Sequence, residues 1–348
     1  MEKLDKLNLA IIGVGRMGIT HYSIINSHPK ITIKAVADTS SLILSFLKKY
    51  IDNLHTYTDV NTLYENEILD AVIVCTPPIF HYPVIMKAAE KGIHVFSEKP
   101  FTTKEEQAAE LTMLFEKKNL INQVGYVSRF NDVFQTVKLY LDNEIIGRII
   151  RFKSEMYSRT ITKSDEGKTW RDSHENGGGA VFEVASHAID LVNYLIGKPD
   201  KITGSNLTKI FSKNVEDAVN ATFLYKNGIS GTLNVNWSDE SFRKPTNKIE
   251  IFGSQGKILA DQHGMKIYLK KSSKINNLRE GWNTLYITDI FKAVPFYVRG
   301  NEFTAQLYHF VDCINGNERR NKCTFRDAKE TLEVINAIFT DYKLNGKF

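Results

Sequence analysis

The 348-residue sequence has little cysteine: Cys75, Cys313 and Cys323 are its only three. An odd count without CxxC spacing excludes a disulfide framework and offers no zinc site. It fits a reducing compartment, so a cytoplasmic location is expected. Long hydrophobic runs are missing as well. No apolar stretch approaches the ~18 residues of a membrane span, and the start, "MEKLDKLNLAIIGVG", has no continuous apolar segment of the signal-peptide kind. No membrane partner is therefore expected. Nor is there a dense basic stripe. The formal charge of +5 comes from dispersed Lys and Arg, clustered only at "LKKSSK" and "NERRNK". That pattern argues against a nucleic-acid partner, while a mildly basic rim suits an anionic substrate. Internal repeats and low-complexity linkers are also absent. Hydrophobic residues make up 42% and charged residues 24%, as in ordinary globular chains, and the length favours two domains.

The first third alternates short apolar runs with longer amphipathic ones. Strands are expected at "LNLAII" from Leu7, "ITIKAVA" from Ile31, "DAVIVC" from Asp70, "IHVF" from Ile93 and "INQVG" from Ile121. Helix-length stretches with three- and four-residue apolar spacing separate several of them. Such a βαβ series builds a doubly wound parallel sheet, an α/β nucleotide-binding (Rossmann) domain over residues 1–125. After about Tyr126 the rhythm changes. Alternating segments such as "NATFLYKN", "ISGTLNVNW" and "KIEIFGS" are joined by turns at Asn227-Gly228 and Ser254-Gln255-Gly256. Helical patterns run from about Ala180 to Ile196, Glu302 to Ile314 and Arg326 to Tyr342. Residues 126–348 are thus expected to form an α+β domain, a large open antiparallel sheet with helices on one face. The other face is left for a partner subunit.

"GVGRMG" places Gly13, Gly15 and Gly18, with Arg16 and Met17 between them, directly after the first strand and at the opening of a helix. In that context the first glycine makes the tight turn, the second admits a pyrophosphate close to the backbone, and the third lets helix and strand pack closely. The helix N-terminus offers free N–H groups to the phosphates. Asp38 ends the second strand, twenty residues after Gly18, where its carboxylate accepts hydrogen bonds from an adenosine ribose. It repels a 2′-phosphate, and no arginine stands beside it, so NAD is favoured over NADP. At "VCTPPIFH", Pro77 and Pro78 stop the fourth strand and open a helix. Thr76, Pro77 and His81 then fall at the carboxyl edge of the sheet, where ligands bind. His81 is assigned as a cofactor neighbour, with helix capping as the competing role. "HVFSEKPF" ends its strand in Glu98, Lys99 and Pro100 at the same edge, beside the nicotinamide half of a dinucleotide.

In this order and spacing "GVGRMG", "VADTS", "CTPPIFH" and "SEKPF" resemble the glucose-fructose oxidoreductase, inositol dehydrogenase and rhizopine-catabolism (Gfo/Idh/MocA) family. The stretch "TWRDSHENGGGAVFEVASHAIDLVNYLIG" is similar to that family's second-domain signature. The resemblance implies a Rossmann domain, a second domain with a large open sheet, and homodimers or homotetramers joined through that sheet. It implies that Lys99 contacts both the nicotinamide ribose and the reacting hydroxyl. It places Glu183 where members often carry an aspartate, four residues before a catalytic histidine, here His187. It also puts Tyr126, Arg129, Trp170 and Arg171 on the substrate side.

Helical spacing agrees for one pair. After "GGG", read as a flexible Gly177–Gly179 segment, residues four apart on a helix share a face, so Glu183 and His187 point the same way and Asp190 follows one turn on to orient the imidazole. Taking a hydride from a secondary alcohol requires a base for the hydroxyl proton. Histidine, with an ordinary pKa of about 6.5, suits that role in either direction. Lys99 stabilises charge developing on the substrate oxygen. The reading is an NAD-dependent dehydrogenase of a sugar, cyclitol or nucleotide-linked sugar. A ketoreductase of a keto-sugar and a non-catalytic dinucleotide sensor are the alternatives, and no metal is required.

Overall fold

The computed structural model describes residues 6–163, 170–318 and 321–345. The first five residues, Thr169 of "TWRD" and Arg319 and Arg320 of "NERRNK" lie outside them. The chain divides into two compact units. One comprises Met1–Val127 with Ala293–Lys329, the other Ser128–Lys292 with Glu330–Phe348.

The first unit holds six strands: β1 (Leu7–Ile12), β2 (Ile31–Ala37), β3 (His55–Tyr57), β4 (Ala71–Val74), β5 (His94–Ser97) and β6 (Asn122–Val124). Their order is β3-β2-β1-β4-β5-β6, and every neighbouring pair is parallel. The order reverses between β1 and β4, opening a crevice at their carboxyl ends, where such sheets bind ligands. Helices α1 (Arg16–Ile25), α2 (Ser41–Tyr50), α3 (Val60–Asn66), α4 (His81–Glu90) and α5 (Glu105–Lys117) connect the strands. β1 and β4 run as continuous apolar segments, Leu9–Ile12 and Ala71–Val74 being buried, because sheets covered on both faces need no polar alternation. In α1 the residues Gly18, His21, Ile24 and Ile25 form the buried face.

One expectation is corrected here. The helix Asn301–Ile314, assigned from sequence to the second domain, belongs to the first unit. Its apolar face of Leu307, Phe310 and Val311 joins the core built by Leu9, Ile11, Ile24, Val36 and Phe96. Phe310 meets Phe96 edge-on at 6.0 Å, and the Gln123 side chain donates to the Gln306 carbonyl at 2.8 Å. Further on, Phe325 stacks on Phe101 at 4.1 Å. A continuous second domain over 126–348 is therefore not what folds: the apolar stripe of this helix returns to the parallel sheet.

The second unit carries β7 (Ile149–Tyr157), β8 (Lys201–Thr208), β9 (Ala218–Leu224), β10 (Ser230–Asn236), β11 (Thr246–Gly253), β12 (Gly256–Asp261), β13 (Gly264–Leu269) and β14 (Gly281–Tyr286). The order β14-β13-β12-β11-β7-β10-β9-β8 is antiparallel except for the parallel pair β7 and β10. Period-two alternation buries Phe152, Leu233, Phe223, Ile249 and Ile267 on the inner face. Helices α6 (Asp132–Asp142) and α7 (Ser186–Leu195) accompany the sheet, α6 being capped by the Asn131 side chain, which accepts from Val133 N at 3.0 Å. The open face carries charged residues and the exposed aromatics Phe252, Tyr268 and Trp282. Phe152 lies against Gly231, where a Cβ would come within 2.2 Å of its ring.

Because Phe310 is fully buried in the first unit, Phe310→Ala is expected to cost about 3–5 kcal/mol in denaturant unfolding. A loss below about 1 kcal/mol, the range of ordinary surface changes, would remove this helix from the core.

Candidate active site

At the nucleotide end, steric crowding explains the glycines. Gly13 adopts φ +88°, and a Cβ there would lie 2.7 Å from the Cys75 carbonyl carbon. A Cβ on Gly18 would sit 1.9 Å from the Gly13 oxygen. Gly15 has nothing within 4 Å of its Cβ position and caps α1 without any side-chain hydrogen bond. The first and third glycines thus close the turn, and the second faces open space above exposed helix amides. Arg16 is exposed and Met17 half-buried on the same turn. Thr76, at the end of β4, has a buried hydroxyl with no partner among the described residues. Pro77 is exposed beside it. Open space, uncapped amides and an unused hydroxyl fit the pyrophosphate of a dinucleotide.

Asp38 is tied into this turn. Its Oδ2 accepts from Val14 N at 2.8 Å and its Oδ1 from Ser40 N at 2.8 Å. The carboxylate therefore holds the end of β2 against the glycine turn, and each oxygen keeps a lone pair for a ribose hydroxyl.

His81 is fully buried, with Nε2 2.8 Å from the Thr76 carbonyl oxygen and Nδ1 2.9 Å from that of Pro100. Burial pushes its pKa down although these carbonyls favour the charged ring. It ties the Thr76 turn to the turn after Lys99.

Glu98 follows β5, its amide donating to the Val74 carbonyl at 2.8 Å. The side chain reaches inward. Oε1 lies 2.6 Å from His21 Nε2, and Oε2 accepts from Lys99 N at 3.2 Å. Burial pushes the Glu98 carboxyl up, but His21, by hydrogen bond and charge, and Lys99 outweigh it, leaving the pKa below the ordinary value. Burial and then Glu98 push the Cys75 thiol well up, so it stays an unreactive thiol. Lys99 itself is half-buried, and its bond to Pro100 is cis. Tyr126, 2% exposed, lies near the end of this unit's first segment. His21 was missed by sequence reasoning. The available signal was a histidine three residues after Gly18, on the helix face otherwise given to apolar residues.

In the second unit the glycines after "TWRD" are closely packed. Gly177 and Gly179 take φ +81° and +93°, and a Cβ on Gly178 would fall 2.2 Å from the Arg171 carbonyl oxygen. A Cβ on Gly179 would meet Glu216 Oε1 at 2.5 Å. Glu216, 3% exposed, accepts from Val181 N at 2.7 Å and is 2.6 Å from His174 Nε2. This carboxylate caps a π-helical turn, Val181–Ala185, that runs into α7. Such turns recur at functional sites. Between Gly177 and Asn193 every residue is buried except Glu183 and His187, which are half-buried. The two expected partners therefore share the one open edge of this helix.

The remaining substrate-side residues separate into two groups. Trp170 and Arg171 stay partly exposed. The Arg171 guanidinium lies 4.6 Å from the Trp170 ring centroid and its Nη2 donates to Glu183 Oε1 at 3.3 Å. Arg129 is 3% exposed and paired with Asp190, Nε to Oδ2 at 2.9 Å and Nη2 to Oδ1 at 2.8 Å. Thr331 Oγ1 donates to the same carboxylate at 3.3 Å. Asp190, expected to orient His187, is the buried counter-ion of Arg129. A lone Asp190 charge would be untenable at 0% exposure.

A parallel sheet reversing at a glycine turn, with an acid ending β2 and a Glu-Lys-Pro turn after β5, defines a dinucleotide-binding oxidoreductase. Comparison with known proteins gives the family. Residues 7–126 match the model of the oxidoreductase family with an NAD-binding Rossmann fold, and residues 134–259 match the GFO/IDH/MocA C-terminal domain. The chain belongs to the Gfo/Idh/MocA family of NAD-binding oxidoreductases. It is 27% identical over 343 residues to the scyllo-inositol 2-dehydrogenase (NAD(+)) of Bacillus subtilis, covering 94% of this chain and 92% of the relative. The uncharacterized oxidoreductase YrbE of the same organism is 26% identical over 266 residues, 72% of each chain. Among solved structures, levoglucosan dehydrogenase in complex with NADH is similar, with a TM-score of 0.85 and 19% identity over 97% of both chains.

Asp190→Ala should take the counter-charge from a buried guanidinium and cost about 3–5 kcal/mol by urea unfolding, whereas Arg129→Met with Asp190→Leu should recover most of that loss. Equal losses in the single and double variants would contradict this account of the pair.

Proposed function

We propose that this protein oxidises a secondary alcohol of a sugar, cyclitol or nucleotide-linked sugar with NAD, His187 serving as acid/base and Lys99 holding the reacting oxygen. The observation carrying the proposal is the open edge of the helix at Glu183 and His187, with its other side chains from Gly177 to Asn193 buried. The named activity of the inositol relative supports the substrate class. When bound, NAD supplies the hydride acceptor. The protein's own part is proton handling and orientation. His187 takes the hydroxyl proton at a ring nitrogen and releases it to solvent, and the reverse transfer serves reduction. The Lys99 ammonium donates to the same oxygen and stabilises its developing charge. Glu183 accepts from a neighbouring substrate hydroxyl while Arg171 holds its carboxylate. Relative to an aspartate at this position, the added methylene moves that carboxylate by about 1.5 Å, which shifts the hydroxyl it selects.

A screen of free sugars, inositols and nucleotide sugars followed by NADH absorbance is expected to yield a turned-over substrate. With it, Lys99→Ala and His187→Ala should each lower kcat by about 10²–10⁴-fold and reduce NAD affinity far less. Wild-type turnover in either variant refutes that residue's role; no turnover across the panel, together with a stable protein partner, would favour the sensing alternative. Cofactor choice is tested separately. Because Asp38 repels a 2′-phosphate, calorimetry should find NAD bound more tightly than NADP, and Asp38→Asn should narrow the gap. Tighter NADP binding by the wild type would overturn the assignment of Asp38.

A further inference from the structure

We propose that His21 is a positioning residue for Lys99, acting through Glu98. This proposal rests on the reading of Lys99 given above and adds the buried device that would hold it in place. α1 carries His21 one turn beyond Gly18, so the imidazole enters the protein beneath the glycine turn and is fully buried. Its edge packs on Phe96, with ring centroids 5.3 Å apart, and Phe96 belongs to the strand that delivers Glu98. Nε2 points at the carboxylate, 2.6 Å from Oε1, while Nδ1 has no hydrogen-bond partner among the described residues. The ring therefore serves one polar contact. A histidine that merely filled the core would be replaceable by leucine at little cost to any ligand, but this one sits on a carboxylate only 13% exposed. Without it, Glu98 Oε1 loses the donor that makes an ionised form tolerable there.

The second carboxylate oxygen turns that contact into a link. Oε2 accepts from the Lys99 amide at 3.2 Å, so the imidazole, the carboxylate and the lysine backbone form one chain from α1 to the residue that meets the ligand. The far side is closed as well. A Cβ on Gly125 would come to 3.1 Å from Oε1, so the absence of a side chain at 125 leaves the carboxylate its room. Glu98 is thus held between an imidazole and a bare backbone. Both of its oxygens are directed, and with them the start of the Lys99 turn. His81 holds the following turn through the Pro100 carbonyl, so Lys99 stands between two buried histidines with separate anchors.

The test needs no substrate. Titration calorimetry with NADH and with ADP, which lacks the nicotinamide ribose, is carried out on the wild type and on His21→Leu, His21→Gln, Gly125→Ala, Lys99→Ala and the His21→Leu/Lys99→Ala double variant. Loss of a hydrogen bond to a charged group should weaken NADH binding by His21→Leu about tenfold. ADP binding should stay within about twofold, the ordinary scatter between independent sites. Glutamine presents its amide near the Nε2 position, so His21→Gln should recover most of the loss. Gly125→Ala, which presses a methyl against Glu98 and leaves His21 itself unchanged, should reproduce the selective loss and keeps the test available if His21→Leu folds poorly. In the Lys99→Ala background, His21→Leu should weaken NADH by less than about twofold further.

Four results overturn the proposal: equal loss of NADH and ADP, no loss in His21→Leu or Gly125→Ala, no recovery with glutamine, or a His21→Leu effect undiminished when Lys99 is alanine. The two readings fail differently. Lys99→Ala with wild-type NADH affinity removes the contact of Lys99 with the nicotinamide half and the proposal with it. Lys99→Ala that loses NADH affinity, with an undiminished His21→Leu effect on top, removes only the link through His21.

Discussion

The nucleotide unit depends on backbone crowding at one point, where the turn after β1 crosses the end of β4. No Cβ fits at Gly13 or Gly18, because the Cys75 carbonyl and the Gly13 oxygen already occupy those positions. That contact fixes where α1 begins, and several polar links are referenced to it. Asp38 holds Val14 N from the end of β2, and His21, one turn into α1, holds Glu98 at the end of β5. Three strand ends thus connect to a single turn. Packing supplies the rigidity beneath: Ile24 and Ile25 of α1 share a core with Leu9, Ile11 and the helix Asn301–Ile314. The exposed surface of Gly15 and Arg16 is what remains once the crowded and buried positions have been taken.

The second unit reaches a comparable precision with buried carboxylates. Glu216 caps the turn that leads into α7, Asp190 answers Arg129, and Asp217 accepts from Trp237 Nε1 at 2.5 Å and from three successive amides, those of Ile210, Phe211 and Ser212. Burial pushes the Asp217 carboxyl up, and these donors more than offset it, so its pKa is depressed. A depressed carboxyl stabilises the fold above its unfolded pKa, and that contribution disappears as pH falls through the folded value. In this unit the acidic groups mainly position backbone. Glu183 is different because it is left half-buried on the helix edge with His187.

How much was legible in the sequence follows the range of the interactions. β1 and β2 occupy the expected residues, Leu7–Ile12 and Ile31–Ala37, since a buried strand writes its signal into its own apolar run. β3, only "HTY" and partly exposed, has no such run and was not foreseen. The Gly-rich turn and Asp38 were legible because their spacing is local. The pairing of Arg129 was not legible for the opposite reason: Asp190 lies 61 residues away, and sequence alone does not bring the two together. The same holds for His21 and Glu98, 77 residues apart, and for His81, whose acceptors include carbonyls 19 and 20 residues on. The crowding of Gly178 against Arg171 and of Gly179 against Glu216 was likewise hidden, because neither partner is a near neighbour in sequence.

Two arginine–carboxylate pairs in the second unit show how burial separates scaffold from ligand surface. Arg129 and Asp190 are 3% and 0% exposed and joined by several hydrogen bonds, so removing one partner strands a charge without water. Arg171 and Glu183, at 38% and 17%, meet at 3.3 Å in partial solvent, where an ion pair is worth about 0–1 kcal/mol. The first pair cannot be exchanged for a ligand without unfolding its surroundings. The second is only partly shielded from water, and the Trp170 ring packs against its guanidinium. The two pairs have the same chemistry, and accessibility to water is what separates the strut from the looser surface contact.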